Sequence, residues 1–211
     1  MELNNREYFI IGIFLALLMP LIVGVLFWWI TASFAILKIM PISEKFIAFV
    51  AVTGLAVGIL LDILYLKKWM LKFYEINRAV SILFYLFFSI MAVAFFMGAP
   101  VGNLFLGFLA GIYIGRKCHY FNSDQASFAS ASKSISIFSA FVTGIEAFPI
   151  GLLALREESI IDSINRTLGL VLFYSNKIVE VLLILILCGI LFSVQFFVTR
   201  FGAKVSFRKI S

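Results

Sequence analysis

Charge is what this chain has least of. Asp, Glu, Lys and Arg together make up 13% of its 211 residues, about half the share of an ordinary soluble domain. Hydrophobic residues make up 63%, and the two figures together exclude a soluble fold. Histidine occurs once, as His119, and cysteine twice, as Cys118 and Cys188, with no CxxC pair. A disulfide scaffold, a zinc or haem motif and a resident cofactor therefore have no support. No GxSxG elbow, HExxH helix, Walker loop or GxGxxG turn occurs, so nothing points to an enzyme. The net charge is +6, yet the seventeen Lys and Arg lie between apolar runs and form no continuous basic face. They are read as topology signals, with no nucleic-acid partner.

What the chain has in quantity is long uncharged runs. None of the 30 residues between Glu7 and Lys38 is charged, more than the roughly 20 that one bilayer crossing needs. Pro20 predicts a kink there, and Trp28-Trp29 suits an interfacial belt. A cleaved signal peptide fits poorly, because the run is too long and MELNNRE is not positively charged. From Ala79 to Gly115 another 37 residues carry no charge, and as one helix they would be about 55 Å long against a hydrocarbon core of about 30 Å. That run must break, and Gly98-Ala99-Pro100-Val101-Gly102 is where glycine and proline permit it.

The expected fold is an all-α membrane bundle, a single domain over 1–211 with six spans at about 8–30, 46–66, 79–97, 101–115, 134–155 and 181–199. The fourth is short enough to be either a full span or a re-entrant half-helix. The serine-rich segment 118–133 is expected to be a solvated loop, and 156–180 an interfacial helix or external loop. Six spans put both termini on one side. The basic residues then divide twelve to five in favour of cytoplasmic termini.

Two stripes of small residues stand out. Asn103, Gly107, Gly111 and Gly115 recur at intervals of four, as do Gly54, Gly58 and Asp62, so each set lies on one helix face that a second backbone can approach closely. The first stripe is placed at the centre of the bundle. Asp62 is expected to form an ion pair near the cytoplasmic end of its helix, with Arg116 or a snorkelling lysine. Cys118 and His119 are read as residues of a solvated loop.

Glu146 is the sharpest candidate for a site. A carboxylate near the bilayer centre costs at least about 2.5 kcal/mol even on insertion scales, so it faces the bundle interior and finds a partner or a proton. No Lys or Arg lies within any predicted span to neutralise it. Ser136, Ser139, Thr143 and Glu146 share one face of the fifth span. Glu146, Thr143, Ser139 and Asn103 are therefore the candidate substrate- or ion-binding residues, and no metal site is expected. The alternative is structural, with Glu146 protonated and bonded to Asn103 or to a carbonyl freed by Pro149.

The block FFMGAPVGNLFLGFLAGIYIGRK, from Phe95 to Lys117, with LDILYLKKW upstream, resembles a segment of a family of small prokaryotic polytopic membrane proteins that carry no assigned function. The resemblance implies a cell inner or plasma membrane and supplies no activity. Two functional classes follow from the residues. One is a carrier or ion-binding membrane component with its site at Glu146. The other is a structural or accessory membrane protein, whose glycine-striped helices dock a partner membrane protein or a second copy of the chain.

Overall fold

A computed structural model describes residues 5–96, 100–157 and 177–207. Six α-helices account for nearly all of them: α1 Asn5–Ile36, α2 Glu44–Leu71, α3 Arg78–Phe95, α4 Val101–Tyr120, α5 Gln125–Glu157 and α6 Lys177–Phe207. One turn of 3-10 helix, Phe73–Glu75, follows α2, and no strand occurs among the described residues. All of these helices except α4 are long and apolar enough to cross a membrane. The uncharged run from Ala79 is indeed broken, between Phe95 and Val101. Gly98 and Ala99 of that break, and 158–176 of the expected interfacial segment, lie outside the described residues.

The helix ends follow from local chemistry. Ser43 caps α2 by accepting from the Phe46 N–H (3.3 Å), Asn77 caps α3 through Ala79 N–H (2.9 Å), and Asp124 accepts from Ser127 N–H (3.2 Å) at the start of α5. Hydrogen bonds from the Ser127 hydroxyl and then from its N–H hold the Asp124 carboxyl below the usual carboxylate range. Both α1 and α4 end in paired reverse bonds around a left-handed residue. At α4 the residue is Asn122 (φ 49°), where Ser123 N–H donates to Cys118 O and Asn122 N–H to His119 O. At α1 it is Lys38 (φ 54°), with Ile39 N–H on Phe34 O and Lys38 N–H on Ala35 O. This arrangement satisfies carbonyls that a helix end would otherwise leave bare.

All the helices but α3 run beyond the apolar cores predicted for them, and one expectation is overturned. The serine-rich stretch 118–133 is not a solvated loop: α4 continues to Tyr120 and α5 begins at Gln125. Phe128 is 5% exposed and stacks on Phe207 with ring centroids 3.9 Å apart. Cys118, expected in that loop, is buried with Phe128 and Ala203. Serine favours loops because its hydroxyl competes for backbone groups. Inside a helix the same hydroxyl bonds back to the preceding turn, as Ser136 Oγ does to Ser132 O (2.8 Å).

The chain divides into two compact units, residues up to Ile76 and residues from Asn77 onward. The first is the antiparallel hairpin of α1 and α2. Its seam is backbone on backbone: a Cβ placed on Gly54 would stand 2.9 Å from the Val23 carbonyl and 3.0 Å from Gly24 Cα, and one on Gly58 would strike Pro20. Tyr74 closes the hairpin by donating to the Glu7 carboxylate (2.7 Å).

In the second unit α4 packs against α3, α5 and α6. Its glycine stripe lies along α6: a Cβ on Gly107 would collide with Gln195 and Thr199, on Gly111 with the Thr199 backbone and Ala203, on Gly115 with Ser206 and Ala203. From the other side Gly202 meets the Phe108 carbonyl, 2.6 Å from where its Cβ would stand. Large apolar side chains point outward, with Phe95 82%, Phe105 65% and Phe197 66% exposed, while Ser89, Asn103, Ser139, Thr143, Gln195 and Thr199 are all fully buried. A polar interior under an apolar exterior is the inverse of a soluble protein and what hydrocarbon solvent requires.

Two glycines on facing helices should respond oppositely to an added side chain. Gly111→Val forces the α4 and α6 backbones apart and should destabilise by about 1–3 kcal/mol. Gly189→Ala, with nothing within 4 Å of the new Cβ, should leave the protein unchanged or gain about 0.5–1 kcal/mol. Thermal unfolding of the two variants in detergent checks the contrast.

Candidate functional site

The polar residues of the second unit form one connected seam across four helices. It starts where α4 is bare. Because Gly107 has no side chain, the Gln195 amide lies directly on the α4 backbone, and its Nε2 donates to the Asn103 carbonyl (2.8 Å). The same nitrogen reaches the Tyr85 hydroxyl of α3 at 3.5 Å. One turn along α6, Thr199 Oγ1 donates to the Gln195 carbonyl (2.9 Å) and forms a hydroxyl pair with Ser139 of α5 at 2.8 Å. In hydrocarbon each such bond replaces an unsatisfied polar group, though measured values average about 0.6 kcal/mol.

Glu146 stands at the other end of this seam. Its Oε2 accepts from Ser89 Oγ of α3 (2.8 Å) and, closely, from Asn103 Nδ2 of α4. One carboxylate oxygen thus joins α3, α4 and α5. Ser89 and Asn103 are fully buried, whereas Glu146 itself is only half-buried. Among the described residues no Lys or Arg pairs with it. Two further oxygens belong to the same chain of bonds and receive no donor from the described residues: Asn103 Oδ1 and Gln195 Oε1, both on residues with 0% exposure. A buried carbonyl oxygen without a donor costs about 1–3 kcal/mol. This node holds more acceptors than donors, and that surplus can be met by a water, a proton or a cation.

Of the four residues singled out from the sequence, Asn103 and Glu146 meet directly. Ser139 and Thr143 share the inward face of α5 but do not bond to Glu146: Thr143 Oγ1 donates to Ser139 O (3.0 Å), and Ser139 turns to Thr199 and to Ser136 O (3.2 Å). Asp62 and Arg116 belong to different units, and their pairing stays an expectation. Sequence reasoning did not assign Tyr85, Ser89, Gln195 or Thr199 to the site. A signal was present for the last two: Gln195, Thr199 and Ala203 recur at intervals of four, a small-polar stripe matching the one on α4.

No protein-family model matches the chain, and no curated protein or solved structure does, so the site is read from its own chemistry.

The Ser139–Thr199 pair is separable from packing. In a double-mutant cycle of Ser139→Ala and Thr199→Val, the two changes should couple by about 0.6 kcal/mol, the usual size of such a bond in a membrane protein. Strictly additive melting shifts would mean that the hydroxyls do not bond in the folded state.

Proposed function

We propose that the chain is a multi-pass membrane protein of six spans that binds a proton or small cation at Glu146, as an ion-binding component or small carrier. The observation that carries this reading is the surplus of acceptors at the buried node. The Glu146 carboxylate shares one hydrogen-bonded chain with Asn103 Oδ1 and Gln195 Oε1, and neither amide oxygen has a donor among the described residues. Carboxylate and amide oxygens are the ligands that a hard cation or a proton takes. A larger solute is disfavoured, because α6 already occupies the face of α4 that the glycines leave bare.

The length of α4 supports six spans. Its 20 residues correspond to about 30 Å, and it crosses with Arg116, Lys117 and His119 of its C-terminal end at the interface. With six spans, the twelve-to-five division of Lys and Arg favours cytoplasmic termini and a bacterial or archaeal inner membrane. The filled glycine stripe favours a second reading, a structural or accessory protein in which Glu146 is a protonated bridge among three helices.

A thermal-shift series separates the two. A ligand that binds the folded state at 100 times its Kd stabilises it by about 2.7 kcal/mol. Sodium, potassium, lithium, calcium and protons should include one that raises the melting temperature of the wild type and not that of Glu146→Gln. Equal melting of both proteins under every condition would favour the structural reading.

A further inference from the structure

A second carboxylate, far from Glu146 in the chain, has a buried oxygen that accepts no hydrogen bond from the described residues. Asp62 of α2 is 7% exposed, and its Oδ1 receives no hydrogen bond from the described residues. It continues the Gly54–Gly58 stripe by one turn, so it faces α1. The register there is fixed by two contacts: Gly54 meets Val23, Gly24 and Phe27, and Gly58 meets Met19 and Pro20. The helices are antiparallel, so a further turn along α2 brings Asp62 opposite Leu15 and Ala16.

Ala16 carries the carbonyl that a helical N–H at position 20 would bond, and Pro20, inside α1, has no N–H to give. The proline nitrogen faces α2, since a Cβ on Gly58 would stand 2.9 Å from it. The freed Ala16 carbonyl, one turn before Pro20 on the same face, therefore looks toward α2 between Gly58 and Asp62. By register, the Ala16 carbonyl is then the neighbour across the hairpin of Asp62, whose Oδ1 accepts no hydrogen bond from the described residues.

Other titratable groups of the hairpin are distant or turned away. On α1, nothing from Phe9 to Ile36 ionises. Tyr8 lies two turns from Ala16, and Glu7 beyond it is held by Tyr74. On α2, Lys67 is five residues on, about 140° around the helix from Asp62, and both Lys67 and Lys68 are exposed. Tyr65, one turn away, is exposed and stacks on Trp69.

We infer that Asp62 is a proton-binding site: its carboxyl holds a proton and donates it to the Ala16 carbonyl that Pro20 leaves free. The bond closes the gap in α1 and removes a charge from the hairpin, which is the cheaper way to hold an acid in hydrocarbon. This site does not depend on Glu146 or on the function proposed for it.

Two measurements on the full chain in lipid test it. Infrared spectra of wild type and Asp62→Asn at neutral pH should differ by the carbonyl stretch of a protonated carboxylic acid. A difference in ionised carboxylate bands instead, as a salt-bridged Asp62 would give, overturns the proposal. The second is a melting cycle with Asp62→Ala and Pro20→Ala. Because Pro20→Ala restores the N–H that Ala16 lacks, Asp62→Ala should lower the melting temperature clearly less in that background than in the wild type. An equal loss in both backgrounds overturns the assignment of Ala16 as partner.

Discussion

A helix without side chains along one edge lets another backbone come into contact with it, and in hydrocarbon this contact supplies an attraction that apolar burial cannot. The second unit depends on it. Gly107, Gly111 and Gly115 bring α6 against α4, and only at that distance can Gln195 reach past a side-chain layer to the Asn103 carbonyl. The polar seam is thus a consequence of the bare stripe. Put one methyl group on Gly107 and the Gln195 amide no longer has room there.

The seam in turn constrains α3 and α5. Thr199 meets Ser139, Gln195 reaches Tyr85, and Asn103 and Ser89 converge on Glu146. Each bond satisfies a group that lipid cannot, so the helices are specified by polar complementarity as much as by shape. Along the seam the complementarity is incomplete, with two buried amide oxygens, on Asn103 and Gln195, that accept no hydrogen bond from the described residues. Native interiors seldom leave such groups unmet without a water, an ion or a function to account for them. The hairpin of α1 and α2 repeats the scheme on a smaller scale: glycines bring the backbones together, and the buried Asp62 continues their stripe by one turn.

Much of this was legible in the sequence, for physical reasons that also set the limit. Uncharged runs announce helices in lipid, because both hydropathy and length are fixed by the bilayer. The positions of Asn103 and Glu146 stand out because a polar group among apolar ones must be turned inward, and the inward faces of α4 and α5 have few such groups to offer each other. A glycine stripe, by contrast, says that something approaches without saying what. That α6 fills it rests on the matching spacing of Gln195, Thr199 and Ala203, a pattern weaker than three glycines. The serine-rich stretch around Ser123–Ser132 reads as a loop because serine composition does not distinguish a loop from a helix that buries some of its serines, as α5 buries Ser132. Phe128, buried against Phe207, was the residue that distinguished them.

The account stands on Glu146 and Asn103 touching between α5 and α4 inside a bilayer. Solid-state NMR of the protein in lipid, with the glutamate side-chain carboxyl carbons labelled with carbon-13 and the asparagine side-chain nitrogens with nitrogen-15, reads that contact directly. The account predicts one strong dipolar coupling between them, as for atoms about 4 Å apart or less across a hydrogen bond, and its loss in Asn103→Leu. A coupling absent from the wild type, or retained in Asn103→Leu, would contradict it.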